Sequence, residues 1–158
     1  MGWNLEVACI RHTKGSALSQ IVPDVFTSTG DMVGFEDATS ASRGSDLSAA
    51  IVGKWAVLID VACRLSGAIP WLEQASDAGD LFLVCVAVDP VALHYREGKP
   101  VAEHRGVGEC NSALGRAESK PGDWIDGEQL ACDLIKTWTG LNFPNKLWKA
   151  RFELFSAD

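Results

Sequence analysis

The stretch LSAAIVGKWAVLIDV, residues 47–61, decides how the chain is read. Two apolar runs, Leu47 to Val52 and Trp55 to Val61, flank Gly53-Lys54, and glycine at the first central position suits a type II′ hairpin turn. A two-residue turn puts Ala50, Val52, Trp55, Val57 and Ile59 on one face and Leu47, Ala49, Ile51, Ala56 and Leu58 on the other. Both faces are apolar. Such a hairpin belongs in the centre of a sheet that is covered on each side.

Upstream, Trp3 to Ile10 alternates, with Trp3, Leu5, Val7 and Cys9 pointing one way and Asn4 and Glu6 the other, which predicts a half-buried strand. Ser16 to Phe26 has Leu18, Ile21, Val22 and Val25 near helical spacing, with Pro23 against it. Residues 27–46 are rich in Thr, Ser, Gly and Asp and read as irregular chain with at most one strand. Downstream, Pro70 to Ala78 predicts a short helix that Gly79 follows. Three strands come next, Leu81 to Val88, Val91 to Arg96 and Lys99 to Arg105, with turns at Asp89-Pro90 and Glu97-Gly98. Residues 106–123 read as a long, mobile loop. The last helix has Asp126 as its cap, Gln129 three residues on, a stripe of Leu130, Leu134, Ile135 and Trp138, and Gly140 at its end. Alternation from Trp148 to Leu154 predicts a terminal strand. The fold class expected is α+β, a single domain over residues 1–158 with a mainly antiparallel sheet and about three helices packed on it.

Composition narrows the function classes. The 158 residues carry 21 acids against 14 Lys and Arg, a net charge of −7, which would repel a phosphate backbone, so no nucleic-acid partner is expected. No apolar run approaches the ~20 residues that cross a bilayer, and the first residues, with Glu6 among them, lack the pattern of a signal peptide. Cys9, Cys63, Cys85, Cys110 and Cys132 are widely spaced with no CxxC, which argues against a disulfide framework and a zinc site and places the chain in a reducing, cytoplasmic compartment.

Reactive constellations are sparse. His12, His94 and His104 are the only histidines. In a regular register of the 91–105 hairpin, His94 and His104 fall on opposite faces, with Glu103 diagonal to His94, and a register change by one residue reverses that placement. Asp60 ends an apolar run and is read as a strand terminator that meets Arg64. Gly106-Val107-Gly108 lacks the third glycine of a dinucleotide loop, having Asn111 there, and no helix is expected to begin at it. Cys110 is read as the most exposed thiol. Neither a cofactor nor a metal site is expected. Of the six tryptophans, Trp55, Trp138 and Trp148 are read as core, Trp3 and Trp71 as either core or surface, and Trp124 as a hydrophobic staple or an acid-rimmed anchor.

The hairpin His94-Tyr95-Arg96-Glu97-Gly98, the helix end Leu134-Ile135…Thr139-Gly140 and the tail Leu147-Trp148…Phe152, set in a small acidic sheet domain, resemble bacterial immunity-type proteins encoded beside polymorphic toxins. The resemblance implies a non-enzymatic, cytoplasmic domain that neutralises a basic toxin domain by stoichiometric binding. The residues expected to contact such a protein partner are Trp71, Glu73, Asp77, Asp123, Trp124 and Asp126. The alternative is a small hydrolase that uses His94 or Cys110.

Overall fold

The computed structural model describes residues 3–12, 15–117, 125–143 and 147–157. In chain order the strands and helices are β1 (Leu5–Arg11), β2 (Phe26–Val33), α1 (Phe35–Ala38), β3 (Asp46–Val52), β4 (Trp55–Asp60), α2 (Ile69–Ala75), β5 (Asp80–Val86), β6 (Val91–Arg96), β7 (Lys99–Arg105), α3 (Gly106–Ala113), α4 (Gly127–Thr139) and β8 (Phe152–Ala157). The strands form one antiparallel sheet in the order β2-β8-β3-β4-β1-β5-β6-β7.

The diagnostic hairpin is central, and its register pairs Val52 with Trp55 across Gly53-Lys54. Gly53 takes φ +61 while Lys54 stays out of the left-handed region, as a type II′ turn requires. One face of the sheet carries Ala50, Trp55, Val57 and Ile59 in one cluster with Phe35, Leu130, Leu134 and Phe143, and the Trp55 indole donates to Thr139 O of α4. The other carries Leu47, Ala49, Ala56 and Leu58 against Leu65, Trp71 and Leu72. Ile51 departs from the expected pattern and is exposed.

Being covered on both sides changes β1 as well. Its residues from Leu5 to Ile10 are all buried, so the half-buried strand expected from its alternation is a fully buried one, with Glu6 the polar exception. The long helix α4 matches its sequence signals. Asp126 accepts from the N–H groups of Glu128 and Gln129, Gly140 closes the helix at φ +78, and Leu130, Leu134 and Ile135 are buried. Each such side chain contributes about 2 kcal/mol when it leaves water.

Four expectations are corrected. Ser16 to Phe26 holds only a 3₁₀ turn at Leu18–Gln20, because Pro23 cannot donate the bond that would extend it. Residues 106–117 are not a loop: α3 starts directly after β7, with the Gly106 N–H donating to Pro90 O at 2.8 Å and the Arg105 N–H to Glu109 at 3.2 Å. Packing on α4 overrides the weak helix propensity of this glycine-rich segment, and residues 118–124 lie outside the described residues. The terminal strand starts at Phe152 rather than Trp148, since Leu147 to Lys149 turn and the Ala150 N–H closes on Leu147 O. Trp148 is therefore surface rather than core, 52% exposed.

Candidate functional site

Among the described cavities the roomiest, about 510 Å³, lies between residues 20–24 and α2. Ile21, Pro70 and Trp71 line its apolar part, and Asp24, Gln74 and Asp77 its polar part. Its two walls are far apart in sequence and are joined by one bond, from Trp71 Nε1 to Ile21 O at 2.8 Å. Pro70 in the first turn of α2 fixes where that helix begins, and the helix then carries Trp71 inward while Asp77 stays exposed just past its end. Among the described residues no lysine or arginine lines the cleft. The arrangement suits a cation with an apolar stem.

The anticipated contact residues divide between regions. Trp71 and Asp77 line this cleft, with Trp71 only 9% exposed, whereas Glu73 is exposed on α2 outside the lining. Asp126 sits on α4, across the sheet from α2, and its carboxylate is occupied in capping that helix. Asp123 and Trp124 lie outside the described residues. An exposed tryptophan with acidic neighbours does occur, at Trp148: its ring lies tilted against Phe35 with centroids 5.6 Å apart and shares a shallow depression with Glu36 and Asp37. The sequence reading singled out neither Asp24, which lines the cleft, nor Trp148, which is exposed, for a partner contact.

Histidine geometry reverses the regular-register expectation. Tyr95 pairs with Pro100, but His94 pairs with Ala102, so Val101 is an extra residue in β7. That bulge puts His104 opposite Ala92 and on the same face as His94, and turns Glu103 to the other face, where it cannot pair with His94. The acidic partner of His94 is instead Asp80, at 2.9 Å from Nε2, and the same oxygen accepts from Arg96 Nε at 2.7 Å. Burial alone would raise the Asp80 carboxyl; the hydrogen bonds from His94 and Arg96, with the charge of Arg96, outweigh it and hold the group below its usual range. The imidazole stacks on Phe82 at 4.3 Å, and Trp138 of α4 covers the pair, 5.1 Å from Phe82 and 6.0 Å from His104. Among the described residues no three metal-ligating side chains gather, so the two imidazoles on one face lack a third ligand.

Two buried carboxylates stand at the other end of the sheet. Asp60 is fully buried and accepts from the N–H groups of Ala62 and Arg64 and from the Arg64 guanidinium at 2.9 Å, as expected of a strand terminator paired with Arg64. Glu6, directly across from it in register, accepts from the Leu65 and Ser66 N–H groups at 2.8 and 3.1 Å. Burial pushes the Glu6 carboxyl up, and its hydrogen bonds only partly offset that. Both groups tie down the 61–67 turn. Cys110, expected at the surface, is buried in α3 and donates towards Pro90 O, and burial with Glu109 and Asp89 nearby pushes its thiol up to about 11. That setting disfavours the thiolate a nucleophile needs.

Fold and cleft together define the class: an α+β domain whose eight-stranded antiparallel sheet is covered on both faces, with an acid-rimmed depression beside α2. No protein-family model, no curated protein and no solved structure matches the chain. Among the described residues no helix is long and apolar enough to cross a membrane.

Proposed function

We propose that the chain is a non-enzymatic protein-binding domain of the immunity type, which masks a basic toxin domain by stoichiometric binding. The observation that carries this reading is the Trp71 cleft, where Asp24 and Asp77 flank an apolar floor and, among the described residues, no basic side chain joins them in the lining. A lysine or arginine from the partner would lay its stem along Ile21 and Pro70 and present its charge to the two carboxylates. The net charge of −7 would speed encounter with such a partner, most strongly at low salt.

The test is co-expression with the product of the adjacent gene. A stable one-to-one complex and rescued growth are expected. Replacing Asp24 and Asp77 together by lysine changes two exposed residues and should weaken that complex roughly 10–100-fold, with much of the loss in the association rate. A harmless neighbour, a toxic neighbour that never binds, or undiminished binding by the double variant would refute the proposal.

A further inference from the structure

Going beyond partner binding, we propose that Cys63 and Cys85 form a dithiol site that closes into an intramolecular disulfide by exchange with a small-molecule disulfide. Cys85 lies on β5, paired in register with Glu6, and Cys63 lies on the turn that follows β4. Their thiols converge on one point: each Sγ is 3.9 Å from Asn4 Oδ1, and Cys63 Sγ is also 3.7 Å from Asn4 O. The two thiols are also near enough to perturb each other electrostatically. Both line a cavity of about 430 Å³ that reaches the surface beside Arg105 and Gly67, whereas Cys9, Cys110 and Cys132 are buried.

The backbone supplies an independent sign. Cys63 adopts φ +54, a left-handed conformation that costs a side chain other than Gly or Asn about 1 kcal/mol or more. Asp60, Glu6 and Arg64 hold the turn in that conformation, and it delivers the Cys63 thiol to Cys85.

Several groups face the pair: Glu6 from β1, Asp60 from β4, Asp89 after β5 and Arg105 from β7. Burial first, then Cys85, Glu6 and Asp60, push the Cys63 thiol up to about 12, and burial with Glu6 and Asp89 raises Cys85. Exchange is therefore slow at neutral pH and accelerates as pH rises.

One cysteine thiolate, having lost its proton to water, attacks a sulfur of oxidised glutathione and expels one glutathione thiolate. The second cysteine thiolate then attacks the protein sulfur of the mixed disulfide and expels the other. Two protein thiols are oxidised and one small disulfide is reduced to two thiols.

The experiment incubates the full chain with oxidised glutathione and reads intact mass, peptide maps and melting temperature. The expected product lacks two hydrogen atoms, maps to Cys63–Cys85 and is restored by dithiothreitol. Its rate should rise about tenfold per pH unit between about pH 7 and about pH 9. Closing a 22-position separation should raise Tm by about 5–10 °C. Cys63→Ser and Cys85→Ser should each stop at a glutathione adduct on the remaining thiol. A persistent adduct on the parent protein, a bridge between other cysteines, or folded protein inert at high pH while urea-unfolded protein reacts would each overturn the assignment.

Discussion

Gly127→Ala offers the sharpest test of the packing. In a helix, alanine is normally favoured over glycine by up to ~1 kcal/mol, so a reading from propensity alone expects stabilisation. The structure demands the opposite. A Cβ on Gly127 would stand 2.0 Å from Val88 O, 2.6 Å from Val88 C and 2.8 Å from Ala87 O, all of them backbone atoms. Restoring ordinary contact, which begins near 3.4 Å, requires the first turn of α4 to retreat by more than an ångström. A gap of about 0.5–1 Å already forfeits a quarter to a half of the dispersion energy at each separated contact, and this larger one falls on the helix that seats Leu130, Ala131 and Leu134 on the sheet. We expect a net loss of at least ~3 kcal/mol, which for 158 residues lowers Tm by roughly 6–12 °C. Urea and thermal unfolding followed by tryptophan fluorescence would measure it. Gly108→Ala in α3 is the control, because nothing lies within 4 Å of the point where its methyl would stand, and it should be neutral or stabilising by up to ~1 kcal/mol. A Gly127→Ala protein as stable as its parent would refute the close approach of α4 to residues 87 and 88.

Further outcomes follow from the polar clusters. Asp60→Ala strips the acceptor from two backbone N–H groups and from Arg64, and should cost about 3 kcal/mol or more in denaturant unfolding. Glu6 has a folded-state pKa raised above 4.5, so its contribution to stability is complete below that value and is lost as pH rises through the folded pKa. Glu6→Gln keeps an oxygen for Leu65 and Ser66 and should melt higher than the parent at about pH 8, with the difference closing towards acid; an unchanged pH profile would count against the buried charge. Asp80 has the reverse sign: its pKa is lowered from 3.8, so its stabilisation is present above that value and is lost as pH falls through the folded pKa. Asp80→Asn should therefore flatten the acid limb of a Tm-against-pH curve while costing little at neutral pH, since the pair is partly exposed.

Legibility differed by element for physical reasons. The 47–61 hairpin and α4 were readable because period and punctuation agree: Gly53 at a position needing positive φ, Asp126 and Gly140 at the two ends of a helix with a continuous stripe. Helix α3 was not. Gly106, Gly108 and Ser112 argue against helix, and only its docking on α4, with Cys110 and Asn111 buried, makes the conformation worthwhile. Glu6 was similarly hidden: an alternating strand assigns it to solvent, and its burial comes from the 61–67 turn folding over it from the far end of β4.

The histidines show how little separates one placement from the other. Regular pairing around Glu97-Gly98 sends His94 and His104 to opposite faces, and a single extra residue brings them together under Trp138. The signal was Pro100, which has no N–H to give the ladder and is tolerated at edge strands and bulges; β7 is an edge strand, and the bulge follows Pro100 at once. The cleft had no comparable marker. Its walls stand about fifty positions apart and meet through one indole–carbonyl bond, so Asp24 and Asp77 become neighbours of the same depression only when the 20–24 segment folds back onto α2. A carboxylate acquires a partner-binding role through such neighbours, and neighbours of that kind are set by packing rather than by spacing along the chain.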